Sequence, residues 1–380
     1  MIKICEKNDC IGCGVCENVC ATKAISMKMS DCFFYPYIDQ EKCINCNKCV
    51  TFCPANKIGE NRDLDDKRYY AAASKNTIAR MSSSSGGLFD VFAKKILENG
   101  GCVVGSAFDQ NLQLSHQMCF STSELYRLKG SKYIQSSTNS IFKDVERVLS
   151  EDRIVYFSGT PCQIFALKSF LKRDYSKLIT QEIICHGVPS PYVWQKYIDY
   201  LERKNSSRIS NFCFRDKTNG WSSYSISYEF DNGQKILEPA KNNAYFISYM
   251  MGMHNRYCCS NCKYKNLSKN ADITLGDFWG IDKICNDFTD NTGVSLVIIN
   301  TQKGSQLFNH IIDRIIYKEF NHFHAVQYNP SLIKSTDHHV LRETFLREAQ
   351  ALDFPSLFNK FCSQKIHSRL RRKIAKLFRR

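Results

Sequence analysis

Residues 10 to 53 constrain this chain more than any other stretch. They carry two runs of four cysteines, Cys10-x2-Cys13-x2-Cys16-x3-Cys20 and Cys43-x2-Cys46-x2-Cys49-x3-Cys53-Pro54. Three thiolates at three-residue spacing can wrap one face of an iron–sulfur cubane, and where two such runs stand in tandem the fourth Cys of each crosses to the other cluster. The pattern therefore pairs Cys10, Cys13, Cys16 and Cys53 on one 4Fe-4S cluster, and Cys43, Cys46, Cys49 and Cys20 on its neighbour. Zinc ribbons also use four cysteines, but usually as C-x2-C pairs separated by a longer loop. Ala21 follows Cys20 where such runs usually have Pro, whereas the second run keeps Pro54.

At 380 residues with 43% hydrophobic content, the chain is long enough for two or three folded units with real cores. Twenty cysteines would suggest disulfides in a short secreted protein, but eight of them fall in metal-ligand runs. The N-terminal residues lack an apolar stretch of signal-peptide length, so the expected location is the reducing cytoplasm. No run of 18 apolar residues occurs, and no membrane span is expected. The formal charge of +15 is uneven: nine Lys/Arg and no acid follow Asp353, leaving +6 for the rest. Basicity is thus largely a property of the C-terminal end and says little about the body of the chain.

Residues 1–59 read as a small two-cluster ferredoxin domain of bacterial type, with short strands around Ile25 and over Phe33–Ile38 between the two cysteine runs. Its apolar content is small, so clusters must supply much of its folding free energy. A charged stretch, 60–68, reads as a linker. Beyond it, strands and helices mix in an α+β (mixed α/β) larger domain, whose N-terminal part spans 69–150 and C-terminal part 151–350. Strands are expected at Tyr69–Ser74, Cys102–Phe108, Arg153–Ser158 and Leu178–Ile184, and helices at Gly87–Asn99 and Gln163–Leu171. Residues 351–380 form a basic tail; as a helix it would place Ile366, Leu370, Ile374, Leu377 and Phe378 on one stripe.

Four further features carry chemistry. The turn Arg80-Met-Ser-Ser-Ser-Ser-Gly86-Gly87 opens a helix, where backbone N–H groups and serine hydroxyls can receive phosphate oxygens, although such turns more often serve as plain N-caps. Leu128-Lys-Gly-Ser-Lys-Tyr133 offers two lysines that suit a pyrophosphate or simply solvent. Cys162, Cys185 and the C-x2-C pair Cys259/Cys262 could complete a third cubane, while Cys102, Cys119, Cys213, Cys285 and Cys362 fit the ordinary role of small buried hydrophobes. Finally, Ala271-Asp-Ile-Thr-Leu-Gly-Asp-Phe-Trp-Gly280 reads as a strand and a glycine turn bearing an acid, Asp277, which can also hydrogen-bond a ribose or a flavin edge.

Together with Ser158-Gly-Thr-Pro-Cys-Gln163, Ile184-Cys-His-Gly-Val-Pro-Ser-Pro191, Phe214-Arg-Asp-Lys217 and Gly220-Trp221, these motifs resemble the coenzyme F-420 hydrogenase/dehydrogenase beta-subunit family, over about residues 10 to 350. That family includes the beta subunits of F-420-reducing hydrogenase and formate dehydrogenase and certain chlorophyll-pathway reductases. The resemblance implies a mixed-sheet flavin and iron–sulfur domain, FAD, and a further 4Fe-4S cluster close to it. It also implies FAD contacts from Ser85, Gly86, Gly87, Gly130, Ser131, Lys132, Tyr133, Gly276 and Asp277, and third-cluster ligands Cys162, Cys185, Cys259 and Cys262, with Cys258 a neighbouring thiol. Catalytic residues stay unassigned.

A flavin accepts a hydride as two electrons and can release them singly, whereas each cluster carries one. The expected function is an iron–sulfur flavoprotein oxidoreductase passing electrons among a ferredoxin-like partner, three clusters, FAD and a small redox substrate or deazaflavin-type coenzyme. One alternative is an electron-transfer subunit without its own substrate site, serving a separate catalytic protein. A nucleic-acid-binding protein with structural clusters would need a basic face with interleaved aromatics outside the tail, and the sequence has none. The tail itself suggests peripheral contact with an anionic inner membrane face as well as the bland reading of a solvated terminal helix.

Overall fold

The computed structural model describes residues 2–57, 67–265, 270–288 and 290–363. Residues 58–66, most of the expected linker, and residues 364–380, which hold the amphipathic stripe of the tail, lie outside the described residues. No helix among the described residues is long and apolar enough to cross a membrane.

Thirteen strands are described: β1 Ile25–Ser30, β2 Phe33–Ile38, β3 Arg68–Ser74, β4 Cys102–Phe108, β5 Leu114–Cys119, β6 Val155–Gly159, β7 Leu178–Ile183, β8 Ile209–Asp216, β9 Ser225–Phe230, β10 Lys235–Pro239, β11 Ile273–Asp277, β12 Ser295–Ile299 and β13 Ile315–Phe320. β1 and β2 form an antiparallel hairpin in the cysteine-run module, and β10-β9-β8 a small antiparallel sheet. The main sheet has eight strands in the order β13-β3-β12-β11-β7-β6-β4-β5. Its centre is parallel, β4 with β6, β6 with β7 and β7 with β11, and its flanks are antiparallel. Strands from before and after residue 150 thus interleave in one sheet. Arg68, the last residue of the expected linker, already sits in β3 and pairs with Glu319.

The helix Leu88–Glu98 shows why the faces pack as they do. Leu88, Val91, Phe92, Ala93, Ile96 and Leu97 recur at three- and four-residue spacing and are all buried against Tyr70, Ala72, Val103 and Tyr156 of the sheet. Full burial of each large apolar side chain contributes about 1.5–3 kcal/mol. A second core lies between β8–β10 and the helices Pro191–Asn205, Ala244–Met250 and Phe354–Cys362, centred on Trp194, Tyr245 and Phe214. The described start of the basic tail is therefore a helix fixed to the body by Phe354, Leu357, Phe361 and Cys362.

The cysteine-run module does not stand apart. Cys13 and Val15 join the core under Phe142, Phe157 and Ile164, and Cys32 and Phe33 join that of Trp194. Polar contacts follow: Thr138 Oγ1 donates to the Cys13 carbonyl at 2.7 Å, Ser169 Oγ to that of Phe52 at 2.7 Å, and Ser190 Oγ to that of Cys32 at 2.6 Å. The small core foreseen for this module is completed by its larger neighbour.

Candidate functional site

The local backbone explains how each cysteine run curls. Gly12 and Gly14 have φ of +67° and +69°, and the corresponding Asn45 and Asn47 of the second run have +54° and +58°. Gly and Asn are the residues that adopt this left-handed region most readily. Alternating it with ordinary helical geometry turns successive N–H groups inward, a concavity that suits sulfide-bearing clusters. Short helices Val15–Val19 and Lys48–Thr51 then carry Cys16 and Cys49.

Two thiol-lined hollows result. Cys10, Cys13, Cys16 and Cys53, with Ile4, Cys5 and Gly12, line one, with about 320 Å³ of atom-free space including that at its mouth. Cys20, Cys43, Cys46 and Cys49, with Ile2, Ile25, Ile38 and Ile44, line another of about 400 Å³, partly open to solvent. Each hollow takes three cysteines from one run and the fourth from the other. The first is inner: its four thiols are buried, whereas Cys46 of the outer set is exposed. Among the described residues no three His, Cys, Asp or Glu side chains converge as ligands of one metal ion do. Four thiols around an apolar hollow fit a cubane, which binds each thiolate at a separate iron.

The scattered cysteines also come together. Parallel pairing sets the ends of β6, β7 and β11 side by side, so Cys162, just after β6, and Cys185, just after β7, emerge at one edge of the sheet. Burial pushes the Cys162 thiol well up, and the neighbouring Cys262, Cys185 and Cys259 add to the rise. Cys185 is likewise pushed to about 12 by burial and then by Cys259. Cys259 accepts a hydrogen bond from the Val188 N–H, 3.4 Å away, tying the C-x2-C segment to the loop after β7. Tyr264 stands between this set and the inner hollow. Its hydroxyl donates to the Pro54 carbonyl at 3.2 Å, its ring packs 5.3 Å from that of Phe165, and Cys162 and Cys13 both face it.

The loops with expected FAD contacts meet at the same edge. Gly86 N–H donates to Ser295 Oγ at 3.0 Å, Gly86 carbonyl accepts from Ser74 N–H at 2.7 Å, and Ser295 pairs with both Ala72 and Asp277 across the sheet. Ser131 N–H donates to Ser84 Oγ at 2.7 Å, joining the serine turn to the Gly-Ser-Lys-Tyr loop. Arg215, at the end of β8, collects the pieces: its guanidinium donates to both oxygens of Asp277 at 3.0 and 3.1 Å, to the Ser84 carbonyl at 3.3 Å and to Tyr133 Oη at 3.4 Å. Trp221 Nε1 donates to Asp277 at 2.7 Å, and its ring stacks on Trp279 with centroids 4.9 Å apart. Lys217 takes the carbonyls of Arg80, Ser85 and Thr292 at 2.5, 2.8 and 2.6 Å, while burial lowers it to about 8.

Two observations test whether this place fits a dinucleotide. Arg215 Nε is buried with no partner among the described residues, and a Cβ built at Gly130, where φ is +82°, would meet open space. An orphaned donor and an open glycine loop beside serine hydroxyls suit a polar, phosphate-bearing ligand. Lys132 lies in that loop with its ammonium folded onto the carbonyls of Lys129 and Gly130, and burial pushes it down to about 7. Lys129, by contrast, is paired with the buried Asp90 at 3.1 Å. Gly86 has a packing reason for its small size, since a Cβ there would run into the Ala72 carbonyl and the Ser295 N–H; at Gly87 φ is +85°. Gly276 is pressed against Ile184.

Residues 152–321 match the family model for the C terminus of the coenzyme F420 hydrogenase/dehydrogenase beta subunit. This part of the chain is similar to that family's C-terminal domain. Residues 9–57 match a 4Fe-4S dicluster domain, and a second model of the same description matches 35–84, so the N-terminal module is of iron–sulfur type. Among curated proteins it resembles an F(420)H(2) dehydrogenase subunit from Methanosarcina mazei, at 24% identity over 47% of this chain and 53% of that protein. It also resembles coenzyme F420-dependent sulfite reductase of Methanocaldococcus jannaschii, at 24% identity over 81% of this chain and 46% of that protein. The chain thus spans about half the length of these relatives. A chain of the F420-reducing [NiFe] hydrogenase complex from Methanosarcina barkeri aligns at a TM-score of 0.47 and 19% identity, covering 68% of this chain and 85% of that one.

Four side chains in these sites carry no signal that the sequence alone reveals. Arg215 belongs to the Phe214-Arg-Asp-Lys217 motif, but its pairing with Asp277 spans 62 residues and leaves no local signal. Cys5 lines the inner hollow and faces Cys10 and Cys53, outside the regular spacing. Arg256 and Tyr264 flank the C-x2-C pair, and only the fold brings them to the first module.

Proposed function

We propose that this chain is an iron–sulfur flavoprotein oxidoreductase that converts between one-electron and two-electron carriers. Cys20, Cys43, Cys46 and Cys49 would hold a solvent-facing 4Fe-4S cluster; Cys10, Cys13, Cys16 and Cys53 an inner one; and Cys162, Cys185, Cys259 and Cys262 a third. FAD would lie along the serine turn, the Gly130–Tyr133 loop and the Gly276-Asp277 turn. The observation that carries this reading is the shared sheet edge: the third thiol set follows β6 and β7, and the Arg215–Asp277 site follows β11 next to them. Ligands of open α/β sheets bind outside the carboxyl ends of parallel strands.

When bound, FAD supplies hydride acceptance and stepwise electron release. The chain's own part is to position and to exclude water. Arg215 and Trp221 hold the Asp277 carboxylate, Lys217 draws three loop carbonyls inward, and Tyr133 and Trp279 offer apolar faces at the same place. A ferredoxin-like donor or acceptor would meet the outer set, where Cys46 and Ile44 are exposed. The substrate would be a small redox molecule or deazaflavin-type coenzyme, and the working location the cytoplasm. The alternative of an electron-transfer subunit without a substrate site draws support from a relative that is itself one subunit of a dehydrogenase. Anaerobic purification of the chain alone separates the two. Bound FAD that is reduced by a soluble deazaflavin donor supports the first, and flavin-free protein that only accepts electrons from a reduced ferredoxin supports the second.

A pH dependence follows from Lys132. Its ammonium is already weakened to about 7, and phosphates of a bound dinucleotide would favour the protonated form, so binding takes up a proton. Affinity for FAD should be highest below that pH and fall by up to about tenfold per unit as pH rises above it, until the bound-state value is reached. Titration calorimetry between about pH 6 and pH 9 reads this directly. A flat profile in the unaltered chain, identical to that of Lys132→Met, would remove Lys132 from the site.

A further inference from the structure

Arg256 is buried, and no carboxylate pairs with it among the described residues. Its Nε donates to the Cys10 carbonyl at 2.7 Å, Nη1 to Gln135 Oε1 at 3.1 Å, and Nη2 to the Phe34 carbonyl at 3.0 Å and to Cys10 Sγ at 3.5 Å. The guanidinium also lies over the Tyr35 ring, 4.4 Å from its centroid. The backbone of the same residue belongs to the other thiol set. Its N–H donates to the Val188 carbonyl at 2.8 Å, and its own carbonyl accepts from the Cys259 N–H at 3.0 Å. One residue therefore reaches from the third set of cysteines into the first ligand of the inner set. Gly12 has to be a glycine for the same reason, since a Cβ there would strike Gln135 and Arg256.

A buried guanidinium without an anion is costly, and the anions within reach here are sulfur. We propose that Arg256 is the counter-charge of the inner cluster and sets its reduction potential above what the thiol set alone would give. This rests on the cluster assignment proposed above. On reduction a cluster takes one electron from its donor, no bond forms or breaks, and one negative charge is added to the hollow. A fixed positive charge and an N–H hydrogen bond to a ligand sulfur both stabilise that added charge, and net charge and hydrogen bonds to sulfur are the levers that set such potentials. The outer hollow has a mostly apolar lining, and among the described residues its one lining cation, Lys48, is exposed rather than buried. Arg256 would thus hold electrons on the cluster adjoining Tyr264 and the third set, after entry at the exposed one.

Potentiometric titration followed by electron paramagnetic resonance tests this on the whole chain, with Cys46→Ser used to mark the outer signal. In Arg256→Gln the inner cluster's reduction constant should fall at least tenfold, 59 mV for one electron, with the outer cluster unmoved. Arg256→Lys, which keeps the charge, should stay within threefold of the unaltered chain. An unshifted inner potential in Arg256→Gln, or an equal shift of both clusters, overturns the proposal. If Arg256→Gln fails to load the inner cluster, Arg256→Lys decides: a loaded cluster of unaltered potential supports a charge role, and failure of both variants points to a merely structural arginine. Absence of two four-iron signals in the unaltered chain would instead count against the cluster assignment itself.

Discussion

Cys162→Ser and Cys262→Ser will each lower the iron content by about four atoms per chain and halt electron flow to the flavin, while the two ferredoxin clusters keep their signals. The separation is expected because the third set hangs on the ends of β6 and β7 and on the segment after Arg256, whereas the other eight cysteines lie within the first module and close their hollows among themselves. Thiolate is the ligand, and serine does not replace it as a soft donor. Cys102→Ser and Cys285→Ser are the controls. Cys102 is fully buried among Val104, Phe142 and Val155, so a hydroxyl there costs about 1–3 kcal/mol in stability without touching iron. Iron analysis of the anaerobic proteins checks both halves. Unchanged iron in Cys162→Ser would detach that residue from any cluster.

Arg215→Met should abolish FAD retention and destabilise the fold by about 3–5 kcal/mol, the usual cost of leaving one partner of a buried ion pair alone. The Arg215 side chain is 4% exposed and that of Asp277 is 14%, so water can do little for the orphaned carboxylate. The variant also frees the Ser84 carbonyl and the Tyr133 hydroxyl. The double variant Arg215→Met/Asp277→Leu removes both charges and should regain most of the stability, since an apolar pair can replace a buried ion pair at little cost. It should still bind no FAD. Chemical denaturation and flavin content, measured on both variants, separate structure from binding; a double variant that holds flavin would place the dinucleotide elsewhere.

The ferredoxin module was legible because its chemistry is local. Ligand spacing, the flanking Gly and Asn residues and Pro54 all lie within a few residues of each other, and the structure closes the two hollows from the cysteines the spacing had paired. Strands β3, β4, β6 and β7 and the helix Leu88–Glu98 are legible from apolar periodicity, with β4 matched at both ends and the others within two residues. The third thiol set was different. Cys162 and Cys259 are nearly a hundred residues apart, and the pairing of β6 with β7, together with the Val188–Cys259 hydrogen bond, makes them neighbours, so the sequence offers them only as candidates that the family resemblance then assigns. Arg215, Arg256 and Tyr264 act through contacts across the fold that no period encodes. Glycine cut the other way. Gly86 read as a place for phosphate to approach, yet the backbone of β3 and β12 already requires it to lack a side chain, which makes its substitution a poor test of binding.

Counting electrons tests the central claim most directly. Three clusters take one electron each and a flavin takes two, so the anaerobic chain titrated with a strong low-potential reductant should accept about five per molecule, with the flavin absorbance bleaching within the same titration. Uptake of about two electrons, with no flavin change, would leave a ferredoxin module attached to an inert domain and contradict the account.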